Sequence, residues 1–216
     1  RMTQKERQAR SREEIFQAAL EEFGSQGYNN VNMERICGNH GISKGMMYHY
    51  YSGKDELFLL CVEQTFAQLK AYIEKNWIQI TDQALLEATR HYFMIREYFF
   101  QCHPRQKLIF ETAMLRPPKH LAQEIRRLHT PIREMNHNFL TQLTAHMVLR
   151  PGLDRKAVIR HLERVEYVFR DMVLEGREAG ATQDLHTMLE TAGEVLDMVL
   201  FGVLQQAAPT RDCSSV

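Results

Sequence analysis

The sequence predicts an all-α protein of about nine helices, a small N-terminal unit followed by a larger C-terminal one. Three observations predict it. Apolar residues recur every three or four positions along most of the 216 residues, the period of a helix face. Ser, Asn and Asp stand where helices would start, and Gly or Pro where they would stop. No stretch alternates apolar and polar residues as a strand does, and no Asn-Gly hairpin signal competes.

The elements follow in order. Ser11-Arg12-Glu13-Glu14 has the pattern of a capping box, predicting a first helix over 11–25. Ile15, Ala18, Ala19 and Phe23 form its buried stripe, and Gly27 stops it. Asn32 caps a short second helix through Met33, Ile36 and Cys37. Gly41 ends that helix and Ser43 caps a third. Ser52-Gly53-Lys54-Asp55 reads as a second capping box, launching a long helix over 55–79 through Leu57, Leu60, Cys61, Phe66 and Leu69. Further helices are predicted over 82–101, 105–115, 119–148, 154–179 and 184–206. Pro104, Pro117-Pro118, Pro151-Gly152 and Gly180 punctuate them, and Asp154 and Asp184 supply caps. Pro131 predicts a kink or break inside 119–148, and Pro209 opens a polar tail.

Composition removes several classes. The chain is 44% hydrophobic and 25% charged, enough apolar material for a core. No apolar run approaches the ~18 residues of a membrane span and no signal peptide is visible, so no membrane partner and a cytoplasmic location are expected. Arg1, ahead of Met2, reads as an expression remnant and carries no argument. Cys37, Cys61, Cys102 and Cys213 are widely spaced, which argues against a disulfide framework or a zinc knuckle. The formal net charge is zero, so a nucleic-acid signal has to be local. Residues 1–12 supply one: Arg1 aside, Lys5, Arg7, Arg10 and Arg12 stand against Glu6.

A short helix, a tight Gly turn and a second short helix form the spacing of a helix-turn-helix, here residues 32–51. A helix N-terminus offers amides and a positive dipole end to phosphate. Ser43 and Lys44 stand at that end, and Gly45 has no side chain to hold the backbone away from a duplex. Lys44 suits guanine O6/N7 and Met46 a thymine methyl. Tyr48, His49 and Lys54 suit the phosphate backbone. Asn32, at the cap of the second helix, is grouped with them. Met47 and Tyr51 are expected to face inward, while Tyr50 suits either DNA contact or half-buried packing.

Residues 9–60 resemble the DNA-binding domain of the TetR family of bacterial transcriptional repressors. The resemblance rests on Ile15, Ala18, Ala19, Phe23, Gly27-Tyr28, Gly41-Ile42-Ser43-Lys44-Gly45, Tyr48, Tyr50-Tyr51, Lys54 and Leu57, all in register. Cys37, Met46 and Tyr51 depart from the family's usual Ala, Thr and Phe. The resemblance implies a DNA-binding domain over 9–69, an effector-binding and dimerisation domain over 70–208, and a tail over 209–216. It implies a ligand-responsive repressor that binds a palindromic operator as a homodimer and is released by a partly apolar small-molecule effector. A helical dimer with a degenerate DNA-binding head is the alternative.

For the effector, the expected residues are His91, Phe93, Arg96, Phe100, Glu111, His137 and Glu166, in a region rich in aromatic side chains. An aromatic stripe at helical spacing is also what a plain core looks like. The last two helices are apolar around much of their circumference, which needs cover on two sides. Val158, Leu162, Val165, Phe169, Leu189, Leu196, Val199 and Val203 are the expected dimer interface, as in the resembling family. An enzyme is not expected: no His-Glu-x-x-His, Gly-rich phosphate loop or Gly-x-Ser-x-Gly occurs among the ten histidines and their surroundings. No cofactor or metal is expected.

Overall fold

The computed structural model describes residues 3–77, 85–164, 194, 195, 198–200 and 202, all but the side chains of residues 85, 86, 90 and 93. The elements among them are helical, as expected, joined by short turns.

Helix α1 runs from Gln4 to Gln26. It starts earlier than the Ser11 box predicts because a better-placed box lies upstream. The Thr3 hydroxyl accepts from the Glu6 amide at 3.2 Å, and the Thr3 amide donates to Glu6 Oε2 at 2.6 Å. The residues between are good helix formers, so the helix continues through Ser11. It ends at Gly27, whose φ of 75° favours glycine.

A 3-10 turn at Tyr28–Asn30 leads to α2, Met33–His40, where Asn32 Oδ1 accepts from the Arg35 amide at 2.8 Å. Gly41 closes α2 in the left-handed region, φ 67°. Helix α3, Lys44–Tyr50, starts with Ser43 Oγ accepting from the Met46 amide at 3.1 Å. Ile15, Phe23, Ile36, Met47, Leu57 and Phe58 are each 1% exposed or less and hold the three helices to the next one. Burying each such side chain stabilises by roughly 1.5–3 kcal/mol.

That next helix, α4, spans Lys54–Asn76. The second capping box forms differently from the expectation. Gly53 is the cap residue, so the acid three places on is Glu56 rather than Asp55. Glu56 Oε2 accepts from the Ser52 amide at 2.7 Å and the Ser52 hydroxyl at 2.9 Å, which frees Asp55 for other partners. The domain boundary expected after residue 69 falls inside α4, where Leu69 and Ile73 are both fully buried.

The larger unit continues with α5 (Leu85–Cys102), α6 (Pro104–Leu115), a 3-10 turn at Lys119–Leu121, α7 (Ala122–Leu128) and α8 (Thr130–Ala145). The helix expected over 119–148 is therefore broken. Pro131 has no amide to donate back into α7, and it sits in the first turn of α8 instead. Asp154 caps a further helix, α9, described over 155–164, its Oδ2 accepting from the Ala157 amide at 2.9 Å. Among the described residues no helix is long and apolar enough to cross a membrane.

Contacts at two places among the described residues help to join the small unit to the large one. Gly24 of α1 lies so close to α6 that an added Cβ would sit 2.5 Å from Arg105 Cβ and 2.8 Å from its Cα. At the other end, Asp55 in the first turn of α4 binds both Tyr28 and His120.

Candidate nucleic-acid interface

Helix α3 is held by its inner side and open on its outer one. Ile42 and Met47 are buried at 4% and 0% exposure, so the helix cannot turn about its axis without uncovering them. Ser43, Lys44, Gly45, Tyr48 and His49 are then exposed, and Met46 is half-buried. An added Cβ on Gly45 would meet nothing within 4 Å, so a duplex backbone has room to approach there. Asn32 is exposed, with its carbonyl oxygen committed to capping α2.

Tyr50 and Lys54 are placed by packing. Tyr50 is half-buried against the core, its ring 4.8 Å from His49 and 5.3 Å from the Arg12 guanidinium. Lys54 turns away from the outer face and corrects the expectation of a phosphate contact. Its ammonium donates to the Tyr28 and Val31 carbonyls, both at 3.0 Å, and lies 4.1 Å from the Tyr28 ring centroid. Those carbonyls belong to the turn before α2, where the Tyr28 carbonyl otherwise holds only a long 3.5 Å bond from the Val31 amide, so Lys54 ties that turn to α4. Tyr51 is half-buried, and burial pushes its phenol pKa up. Cys37, at the α2 end of the motif, has its thiol pKa raised, first by burial and then by Glu34, while the Lys44 charge opposes.

Sequence reasoning missed how Arg12 is held on this surface, and missed Arg35 altogether. Arg12 belongs to the basic N-terminal run, but nothing in the sequence pairs it with Tyr50 across two helices. Arg35 of α2 is bound through Nε to Glu22 of α1 at 2.6 Å. Glu22 carried a signal: it occupies the i+7 position of the stripe begun by Ile15, and an acid on an apolar face needs a partner.

The expected effector residues are not brought together as a set. Arg96 is buried on α5; it donates to the Tyr92 carbonyl and, at 2.9 Å, to Asn136 Oδ1 on α8. Phe100 is buried, its ring 4.9 Å from Phe110. His91 is half-buried, its Nε2 2.9 Å from the Asn76 carbonyl at the end of α4, and Glu111 is half-buried on α6. His137 corrects the expectation: it is exposed on α8 and bonded to Glu163 of α9, facing away from the interior. The Phe93 side chain and Glu166 lie outside the described residues. Three interior polar groups were not expected. Tyr92 donates to Asn136 at 2.6 Å, His129 is 7% exposed beside Phe66, and Thr65 of α4 is 1% exposed with no partner for its Oγ1 among the described residues.

Of the expected dimer residues, Val158 and Leu162 are each 4% exposed within the single chain. They are already covered by their own protomer, so they offer a partner nothing, which corrects that assignment. Val199 is half-buried against the same core, and Met198 beside it is 65% exposed. Val165, Phe169, Leu189, Leu196 and Val203 lie outside the described residues.

Comparison with known proteins agrees with this geometry. Residues 15–61 match the family model described as "Bacterial regulatory proteins, tetR family". The chain is similar to the HTH-type transcriptional activator FasR of Mycolicibacterium smegmatis, 30% identical over 114 residues, 52% of this chain and 51% of that one. It is also similar to the HTH-type transcriptional repressor AcnR of Corynebacterium efficiens, 27% identical over 82 residues, 38% of this chain and 44% of that one. The chain thus spans about half the length of the curated relatives it matches. Among solved structures, the regulator FadR of Bacillus subtilis in complex with stearoyl-CoA shares the fold, with a TM-score of 0.62 at 16% identity. That match covers 88% of this chain and 98% of the other.

Proposed function

For a chain that belongs to the TetR family of bacterial regulatory proteins, we propose the role of a ligand-responsive transcriptional repressor in the cytoplasm. The observation that carries this reading is the outer face of α3. Lys44, Gly45, Tyr48 and His49 stand exposed on a helix whose other side is locked by Ile42 and Met47. Lys44 donates to a guanine edge, Met46 contacts a thymine methyl, and Tyr48 and His49 contact phosphates. A homodimer sets two such helices into successive major grooves of a palindromic operator, about 34–36 Å apart.

The effector is a partly apolar small molecule bound among α4, α5, α6 and α8. The aromatic interior around Phe100 and Phe110 suits its apolar part, and Thr65, His129 and Arg96 supply the few polar groups such a site needs. The relative FadR is crystallised with stearoyl-CoA, a molecule of that mixed character. Because Thr65 lies on α4, a ligand there favours one placement of that helix, and hence of the head, through its difference in affinity for the two.

The test is a gel shift over several salt concentrations with duplexes selected from a random pool by the protein itself. Tight retention with a steep salt dependence is expected, with a large loss for Lys44→Ala. A protein that retains no duplex at low salt, or a Lys44→Ala variant indistinguishable from the parent, defeats the reading.

A further inference from the structure

Glu22 is a buried charge that the reading of α3 leaves unexplained. It lies on α1 at 5% exposure. Burial alone would raise its pKa, yet hydrogen bonds from Asn39, Arg35 and His40 outweigh that and hold it below the ordinary carboxylate value. The distances are 2.6 Å from Arg35 Nε, 2.8 Å from Asn39 Nδ2 and 3.2 Å from His40 Nε2. All three partners belong to α2. One carboxylate therefore fastens the first helix of the helix-turn-helix to α1, beside the apolar contacts of Met33, Ile36 and Cys37.

Arg35 is only partly used by this arrangement. Its side chain remains 40% exposed, and neither terminal nitrogen reaches an acceptor among the described residues. The guanidinium is planar, so a bond at Nε leaves its far edge, which carries both Nη groups, unbonded. In a helix-turn-helix the first helix crosses the phosphate backbone. A guanidinium presented there, held at Nε and with both Nη groups unbonded, matches a phosphate. We propose that Arg35 is a phosphate contact and that Glu22 is the positioning residue that aims it, an assignment resting on the DNA-binding reading above.

The Glu22 part predicts the opposite response from that of charge alone. Removing a carboxylate near DNA should strengthen binding if only net charge counts. Removing an aiming carboxylate should weaken it.

The experiment measures affinity of the full chain for duplexes it selects from a random pool, at several salt concentrations, for Arg35→Met, Arg35→Lys and Glu22→Gln. Arg35→Met should lose about tenfold in affinity on every retained sequence alike and flatten the salt slope by about one unit per protomer bound. Arg35→Lys should keep the slope and lose part of the affinity, since an ammonium carries the charge without the fork. Glu22→Gln should weaken binding several-fold and add little to Arg35→Met in the double variant. Should Glu22→Gln fail to fold, Glu22→Asp, which keeps the charge and shortens the reach, gives the same readout. A parent that binds while Arg35→Met binds equally well with an unchanged slope overturns the phosphate contact. Folded Glu22 variants that bind as tightly as the parent, or tighter, overturn the aiming role. A parent that retains no duplex removes the DNA-binding reading itself, and this assignment with it.

Discussion

The His120 ring lies 2.8 Å from the Asp55 carboxylate, joining the 3-10 turn after α6 to the first turn of α4. The other Asp55 oxygen accepts from the Tyr28 hydroxyl, and the Tyr28 ring stacks edge-on against Phe58 at 4.9 Å. One carboxylate thus connects the head, the long helix and the larger unit. Burial alone would raise the Asp55 pKa, but the bonds from Tyr28 and His120 leave it lowered.

The two ends of this link should differ in weight. The His120–Asp55 pair is largely exposed, so His120→Ala should cost less than about 1 kcal/mol. Asp55→Ala also takes the carboxylate acceptor from the hydroxyl of the buried Tyr28, leaving it only the His120 Nε2 at 3.4 Å, and about 1–3 kcal/mol is expected. Because the folded pKa of Asp55 is depressed, its contribution is present above the ordinary value near 3.8 and fades as the pH falls through the folded value. Urea unfolding of both variants at neutral pH decides it; equal losses would mean that Tyr28 does not depend on Asp55.

The head was legible because its signals are local. Asn32, Gly41 and Ser43 act within three or four residues of themselves, and the spacing of Ile15, Ala18, Ala19 and Phe23 shows which face is buried. What escaped was pairing between distant residues. Lys54 looks like any exposed lysine at a helix start, and only the fold brings the Tyr28 and Val31 carbonyls to its ammonium. His137 is similar: a histidine on an amphipathic helix faces in or out by a rotation that the sequence leaves open until Glu163 is placed beside it. Val158 and Leu162 form a stripe of the right period, but a stripe does not say whether its cover comes from the same chain or another.

His129 makes stability depend on pH between about 6.5 and 4. Burial first, and then the Arg133 and Arg96 charges, push its pKa down from 6.5 to about 4. The unfolded chain takes up the proton first as the pH falls. Its contribution is therefore full above about 6.5 and declines toward 4. A loss of about 2 kcal/mol is expected by pH 5. The urea midpoint measured at pH 7 and pH 5 tests this, and His129→Phe, which fits beside Phe66, should reduce the difference. A parent whose midpoint is level between those values would show that His129 titrates normally.

Gly24 offers a test of how the head is docked. Ala is favoured over Gly inside a helix by about 1 kcal/mol, so propensity alone predicts that Gly24→Ala stabilises α1. The close approach of α6 predicts the reverse. A Cβ there would meet the Arg105 Cα and carbonyl oxygen at 2.8 Å, and backbone atoms cannot swing aside as a side chain tip can. The two helices would have to separate, an overpacking cost of about 1–3 kcal/mol that should exceed the propensity gain. Gly38 of α2 is the control, since an added Cβ there meets nothing within 4 Å and Gly38→Ala should stabilise. Thermal unfolding of the two variants should therefore move in opposite directions. If both rise, the contact between α1 and α6 is looser than described, and the head is held mainly through Asp55.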